Sequence, residues 1–504
     1  MGSDHSPPPS NTNSNDVNSD PEALARVSSG PPYSAFPKWT RRFIVGMTAV
    51  GGVVSPMTAN IYFPALNPIA ADLGVSISLI NLTLTTYMIF QAIAPTIFGD
   101  FGDKAGRRPA FVISFLIYVA ANLGLALQRN YAALLVLRML QSAGSSGTLA
   151  LCFAVIADIS VSSERGKYMG ILLAGINVGP SLSPVLGGIL AEYLGWQAIF
   201  WFCLIFSGAW LIVFALAVPE TCRNVVGNGS VPATGWNMTV IDYVRSRRHP
   251  AQHDTQQTVS KPPLRFPNPF NVLKAVLQKD LALVYLYGTL AYLVFILIVA
   301  TLSTEFAAIY GYNDLIIGLC YLPYGLGCCS AAVFQGYALD WNYRRIARSI
   351  GMTIDRRRGD DMSKFPIEKA RLQPVIPILI AGIASTICYG WVLQAKTHVA
   401  APLVLLYIVG FMVVDLYPEA PATAIAANNL VRCLFGAGGT AVIEPMLRSM
   451  GRGWTYTFWA LVLVVFSPML YILARIGPRC REERRLKMIE DSSSTSSSSR
   501  SVEE

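Results

Sequence analysis

Charge is what this sequence has least of. Of its 504 residues, 14% are charged and 53% are hydrophobic, against about 25% charged in soluble domains. That scarcity excludes an ordinary soluble globule and places the chain among membrane proteins. Histidine is rarer still. The four (His5, His249, His253 and His398) lie far apart, so no His/Cys/Asp cluster of a membrane enzyme recurs. No Gly-Lys-Ser/Thr loop is present to cradle a nucleotide phosphate, which argues against a nucleotide-driven pump. The nine cysteines are scattered, several inside apolar runs (Cys152, Cys203, Cys388, Cys433). Their spacing reads as neither a metal site nor a disulfide framework. A cleavable signal peptide is also missing: residues 1 to 37 are polar and rich in Pro, Ser and Asn, so the first apolar segment is expected to act as an uncleaved start. The net charge is +9, but the basic residues follow topology instead of gathering in one nucleic-acid patch.

What is present is a succession of apolar runs of about the 20 residues that a bilayer-spanning helix needs. The first six lie near 43 to 66, 79 to 98, 109 to 127, 132 to 157, 167 to 190 and 196 to 218. A polar stretch from Pro219 to Lys279 has too few apolar residues to cross. Six more runs fit near 281 to 304, 315 to 338, 374 to 394, 401 to 417, 423 to 445 and 454 to 475. The tenth is the weakest, because Pro402 and Pro418 confine it. The expected organisation is a disordered tail (1–42), six helices (43–218), a central loop (219–280), six helices (281–475) and a Ser-rich tail (476–504). Lys and Arg fix the expected orientation. With both termini cytoplasmic, only Arg129, Lys396, Arg448 and Arg452 are outside and Arg138 and Arg432 lie within spans, leaving 33 of the 39 on the cytoplasmic side.

Between the second and third runs stands Gly99-Asp100-Phe101-Gly102-Asp103-Lys104-Ala105-Gly106-Arg107-Arg108-Pro109. Five charges in so short a link must stay in water or pair at the interface. The pattern resembles the loop between helices 2 and 3 of major facilitator superfamily transporters. The halves look like parallel repeats: Gly336, Asp340, Arg344 and Arg345 after the eighth run form a degraded counterpart of the link. Val414-Asp415 likewise echoes Ala157-Asp158.

Further stretches are similar to twelve-span fungal drug:H+ antiporters, the quinidine-resistance type in particular. They are Ala59-Asn60-Ile61-Tyr62-Phe63-Pro64 in the first span and Thr86-Tyr87-Met88-Ile89-Phe90-Gln91 in the second. Leu137-Arg138-Met139-Leu140-Gln141-Ser142-Ala143-Gly144 in the fourth, Gly179-Pro180 with Pro184-Val185-Leu186-Gly187-Gly188 in the fifth, and Pro219-Glu220-Thr221-Cys222-Arg223 after the sixth complete the set. The resemblance implies an all-α membrane protein of the major facilitator fold, twelve helices in two pseudo-symmetric six-helix bundles. It also implies efflux of drugs, toxins, organic acids or secondary metabolites from a fungal cell. The energy source would be the proton gradient, with no cofactor. A monomer at the plasma membrane is expected, with the vacuolar membrane as the alternative; its partners are the small-molecule substrate and the bilayer, not nucleic acid. The rival readings are an importer or uniporter of small organic solutes and a non-transporting sensor on the same scaffold.

Arg138 lies inside an apolar span, where a guanidinium is expensive and must find partners. Helical spacing puts Gln141 and Ser145 on its face, and the family resemblance gives this Arg proton coupling or substrate binding. Arg432, beside Asn428 and Asn429, has a similar claim. Glu305 and Glu444 lie near outer helix ends, where solvent would suffice. No acid stands at the centre of the first or fourth span. Gly99, Asp103, Gly106, Arg107, Arg108 and Asp158 are expected to form a cytoplasmic gate, with Glu164 or Arg165 joining the charges. Gly175, Gly179, Pro180, Pro184, Gly187 and Gly188 match the antiporter motif, where small residues permit close packing and prolines bend the helix. Asn60, Tyr62, Tyr87, Gln91, Asn177, Tyr292, Tyr321 and Tyr324 are the expected cavity-lining amide and aromatic residues.

Overall fold

The structure, a computed structural model, describes residues 33–243, 279–350, 367–412 and 422–473, together with 475–477, 479 and 486. The expected tail before 33, the central loop from 244 to 278 and most of the Ser-rich tail lie outside the described residues. So do Asp415 and Pro418. Among the described residues ten helices are long and apolar enough to cross a membrane, and a shorter apolar helix accompanies them. The chain is a multi-pass membrane protein.

In chain order the helices are α1 (Lys38–Asn60), α2 (Leu66–Leu73), α3 (Ile77–Ala105), α4 (Arg107–Leu127), α5 (Tyr131–Ile159), α6 (Ser162–Leu194) and α7 (Gln197–Ala217). A short α8 (Arg223–Val226) follows. The second half holds α9 (Lys279–Tyr310), α10 (Asp314–Cys320), α11 (Leu322–Ile350), α12 (Ile367–Gln394), α13 (Ala400–Phe411) and α14 (Ala422–Phe466). Two of the twelve expected runs are continuous in α14, which Gly451 breaks with φ 77, a conformation open to glycine without a Cβ clash. The eighth run is divided into α10 and α11 at Tyr321. The 12 residues of α13 reach about 18 Å at 1.5 Å each, short of the roughly 30 Å hydrocarbon core.

The charged link around Gly99 is not a loop. Helix α3 continues through Ala105, and only Gly106, with φ 117, interrupts it before α4 begins at Arg107. Charge spacing explains the persistence of helix: Asp100 pairs with Lys104 at 2.6 Å and Asp103 with Arg107 at 2.6 Å, both four residues apart, a spacing that supports helices. Ser76 and Asn130 cap the opposite ends of α3 and of its neighbour α5, accepting from Leu79 N and Ala132 N.

Successive helices alternate in direction. One face of the bundle therefore carries Ala105, Arg107 and Asp158 (the motif face), and the far face carries Leu127, Leu194, Tyr310 and Gly451. Within the first half α3 and α4 pack on α5, α1 on α6, and α4 on α7. Trp210 anchors that half: its ring stacks on Phe115 at 4.1 Å and lies against Gly51, while its Nε1 donates to Met47 O. In the second half α14 packs on α9 and α12, and α11 on α13; across the halves α3 meets α14 and α6 meets α10.

Candidate functional site

Two arrangements of charge stand out, one at the motif face and one in the middle of the first half. At the motif face Arg107 is the hub. It pairs with Asp103 and, through Nε at 2.9 Å, with Asp158; the Arg107 and Asp158 side chains are only 9% and 12% exposed. Asp103 is 57% exposed, so water weakens that contact and Asp158 is the stronger partner.

Beneath the hub lies Glu220, buried and aimed at the start of α4. Its carboxylate accepts from the backbone N–H groups of Arg107 (2.9 Å), Arg108 (3.0 Å), Thr221 (2.9 Å) and Cys222 (2.8 Å). An anion here meets both the unsatisfied N–H groups and the positive end of the helix dipole. Burial pushes the Glu220 carboxyl above its ordinary value, and the four N–H donors pull against that rise. The Cys222 thiol is pushed up to about 11 by burial, so it is an unreactive packing group.

The expected gate residues divide in the structure. Asp103, Arg107 and Asp158 come together as expected. Arg108 does not join them: it donates to Ala215 O at 2.6 Å and Trp236 O at 3.2 Å, because its side chain leaves α4 on the side facing α7. Glu164 pairs instead with Arg41 at 3.0 Å, and Arg165 donates to Tyr33 Oη. Gly99 packs against Ala150, and Gly106 presses on Glu220 and Asn237. Glu220, Arg223 and Tyr33 form a second layer whose roles are not legible in the sequence alone. Arg223 donates to Asp158 O and Tyr33 O and lies 3.6 Å over the Tyr33 ring. A lone acid just beyond a span end was the available signal for this second layer.

In the middle of the first half Arg138 is 1% exposed. Its guanidinium lies between two aromatic faces, 4.1 Å from the Tyr62 ring centre and 4.3 Å from that of Tyr87. Nη1 donates to Gln141 Oε1 at 2.6 Å, and Gln141 donates onward to Asn122 Oδ1 at 2.7 Å. Nε and Nη2 have no acceptor among the described residues. Ser145, expected beside Arg138, bonds instead to the Tyr87 hydroxyl at 3.3 Å, and Thr83 holds that of Tyr62 at 3.1 Å. Two ring faces stabilise the cation, but no carboxylate among the described residues pairs with it.

Arg432 of α14 lies 4.6 Å over the Tyr292 ring and donates to Asn429 Oδ1 at 3.2 Å. Asn429 reaches across to Gln91 O at 3.0 Å. Of the other expected cavity residues, Asn60 is buried and donates to Pro56 O, and the Asn177 side chain lies outside those described. Tyr324 is buried and stacks on Phe295 at 4.9 Å. Tyr321 is buried. The break between α10 and α11 turns it onto Phe63, 6.2 Å away, and its hydroxyl donates to Val299 O.

The antiporter-motif glycines serve contacts with two partners. Gly175, Gly179 and Gly187 lie against Ala49 O, Met57 N and Ile61 O of the first-span segment, whereas Gly188 lies against Asp314 O and Gly318 of the second half. Pro180 and Pro184 sit inside the continuous α6. Among the described residues six side-chain hydrogen bonds join the halves between the far face and the level of Gln91. They are Asn67 to Ser303 O, Glu192 with Asn313 and Asp314 N, Thr85 with Thr440, Ser181 with Cys329, and Asn429 to Gln91 O. Glu305 and Glu444, expected to be solvated, are each paired with an arginine, Arg452 and Arg448 respectively.

Comparison with known proteins gives the same fold. The chain is 42% identical over 465 residues to the MFS-type transporter phiD of a fungal species, covering 90% of this chain and 71% of that one. It is 38% identical to the MFS-type transporter tstD of Talaromyces stipitatus, covering 92% and 86%. Identity to citrate exporter 1 of Aspergillus niger is 35% over 95% of each chain. The human organic anion transporter MFSD10 shares the fold, with TM-score 0.50 and 17% identity over 86% of this chain and 100% of that one. The profile of the Major Facilitator Superfamily matches residues 48–440, and the chain belongs to that family.

Proposed function

We propose that this chain is a secondary active exporter of small organic compounds that works by alternating access and proton antiport. The observation that carries the reading is the uneven joining of the halves. They are bonded from the far face down to Gln91 and Asn429, while the Arg107 cluster at the motif face lies wholly within the first half. With the termini in the cytosol, as the Lys and Arg distribution predicts, this is a conformer closed to the outside and loading from within. Rocking of one half against the other would exchange the seams.

Export is also the activity named for the Aspergillus niger relative, and that likeness extends to this chain an organic-acid or secondary-metabolite cargo alongside drugs and toxins. Arg138 and Arg432 are the proposed residues for coupling or substrate recognition, the Arg107–Asp158 pair the proposed gate, and the plasma membrane the proposed site of action for a monomer. The quinidine-resistance likeness in α1, α3, α5 and α6 supports proton antiport as the energy source.

Efflux tests the reading. Cells expressing the chain retain less of at least one compound from a panel of organic acids and amphiphilic toxins, and a protonophore abolishes the difference. Retention unchanged across the panel favours a sensor, and increased retention favours an importer.

A further inference from the structure

On the far face a cavity of about 670 Å³ opens between the halves, lined by Asn67 of the first and by Glu305, Gln394, Glu444, Arg448 and Arg452 of the second. Its volume suits a small organic molecule. Arg448 and Arg452 flank the Gly451 break in α14, and each is pinned by its Nε. Arg448 donates to Glu444 at 3.0 Å, and Arg452 donates to Glu305, whose side chain is only 10% exposed. Neither arginine makes a hydrogen bond through Nη1 or Nη2 to the described residues. Gln394 accepts from Gly453 N at 2.7 Å through Oε1, which leaves its amide NH2 as a further donor on the cavity wall.

A guanidinium held by Nε keeps its planar pair of Nη groups for another oxyanion, a geometry that matches a carboxylate. Both arginines line the same cavity, so two carboxylates of one short organic acid can answer them together. We propose that this cavity is a binding site for organic dicarboxylates on the far face. Glu305 and Glu444 are its positioning residues. They orient the arginines and, by offsetting their charge, keep the site weak enough to release what it binds. That the ligand is on its way out rests on the export reading; that the cavity takes a dicarboxylate does not.

The test uses the full chain in phosphatidylcholine nanodiscs, with thermal unfolding followed against succinate and, as an uncharged control, succinamide. Succinate raises the midpoint and succinamide does not. Arg448→Gln and Arg452→Gln each weaken the apparent affinity about tenfold, equivalent to about 1.4 kcal/mol, and Glu444→Gln tightens it. Arg448 is 64% exposed, so its variant keeps the fold. A midpoint insensitive to succinate, or a shift of the same size in both arginine variants, overturns the proposal. Loss of the shift when phosphatidylglycerol replaces phosphatidylcholine assigns the arginines to a lipid headgroup and overturns it too. Succinate binding without efflux of any compound from expressing cells removes the export reading and leaves the site standing.

Discussion

Arg107 and Asp158 come from different helices, 51 residues apart in sequence, and meet at 2.9 Å with both side chains nearly out of solvent. Truncating one member of such a pair leaves the other charge buried without compensation, at about 3–5 kcal/mol. Asp103 is too exposed to replace Asp158. Asp158→Ala is therefore expected to lower stability by about 3 kcal/mol, whereas Asp103→Ala lowers it by less than about 1 kcal/mol. Thermal unfolding of the two purified variants checks the order; equal losses would place the dominant partner elsewhere.

Gly106 joins two constraints that only a glycine can satisfy together. Its φ is 117, and a Cβ would stand 2.5 Å from Glu220 Oε2. Gly106→Ala should sharply reduce folded protein in the membrane, while Gly166→Ala, where a Cβ meets nothing within 4 Å, should leave it unchanged. Glu220→Ala strips the acceptor from four backbone N–H groups and is expected to destabilise by about 3 kcal/mol. Fluorescence-detected size exclusion of tagged variants reads all three. A normal peak for Gly106→Ala would show that Glu220 does not cap α4 in the membrane.

The apolar runs made the helices legible, because period and length are local properties. The charged link was harder to read. Its glycines and charges look like a loop, yet the pairs Asp100–Lys104 and Asp103–Arg107 keep it helical as far as Gly106. Gln141 was legible beside Arg138 because three residues of helix bring them together. The Tyr62 and Tyr87 faces were not, since that cage forms only where three helix segments converge. The stacking of Tyr321 on Phe63 was hidden for a related reason: it depends on the one-residue break between α10 and α11. The role of Glu220 is not legible in the sequence, because its partners are backbone N–H groups that leave no mark there.

Gly188 and Gly318 let the halves touch at the far face. A Cβ on Gly188 would come 2.5 Å from Asp314 O, and one on Gly318 would come 2.7 Å from Pro184 O. Both obstacles are backbone, so neither yields easily. Gly188→Ala should hold the far face apart. In a cysteine-depleted background with Asn67→Cys, a membrane-impermeant maleimide added to intact cells should label this variant faster than its parent. Slower labelling, or labelling only after lysis, would contradict both the seam and the orientation with the far face outside.

Arg138 offers the sharpest separation of structure from mechanism. Its cation is held by ring faces instead of a carboxylate, at about 1–2 kcal/mol for desolvated contacts of this kind. Tyr87→Phe keeps the face and loses only the hydroxyl bond to Ser145, so it should preserve most efflux. Tyr87→Ala removes the face and leaves Arg138 with one ring, so both stability and efflux should fall. Arg138→Ala removes a charge that has no acid partner among the described residues, and the fold should tolerate its loss. Surface protein is then retained while efflux disappears. Arg138→Lys should fail as well, because a compact ammonium does not present a flat cation to two rings. Efflux and surface protein measured side by side decide the matter, since Arg138→Ala cells exporting at the parental rate would reduce this cage to packing.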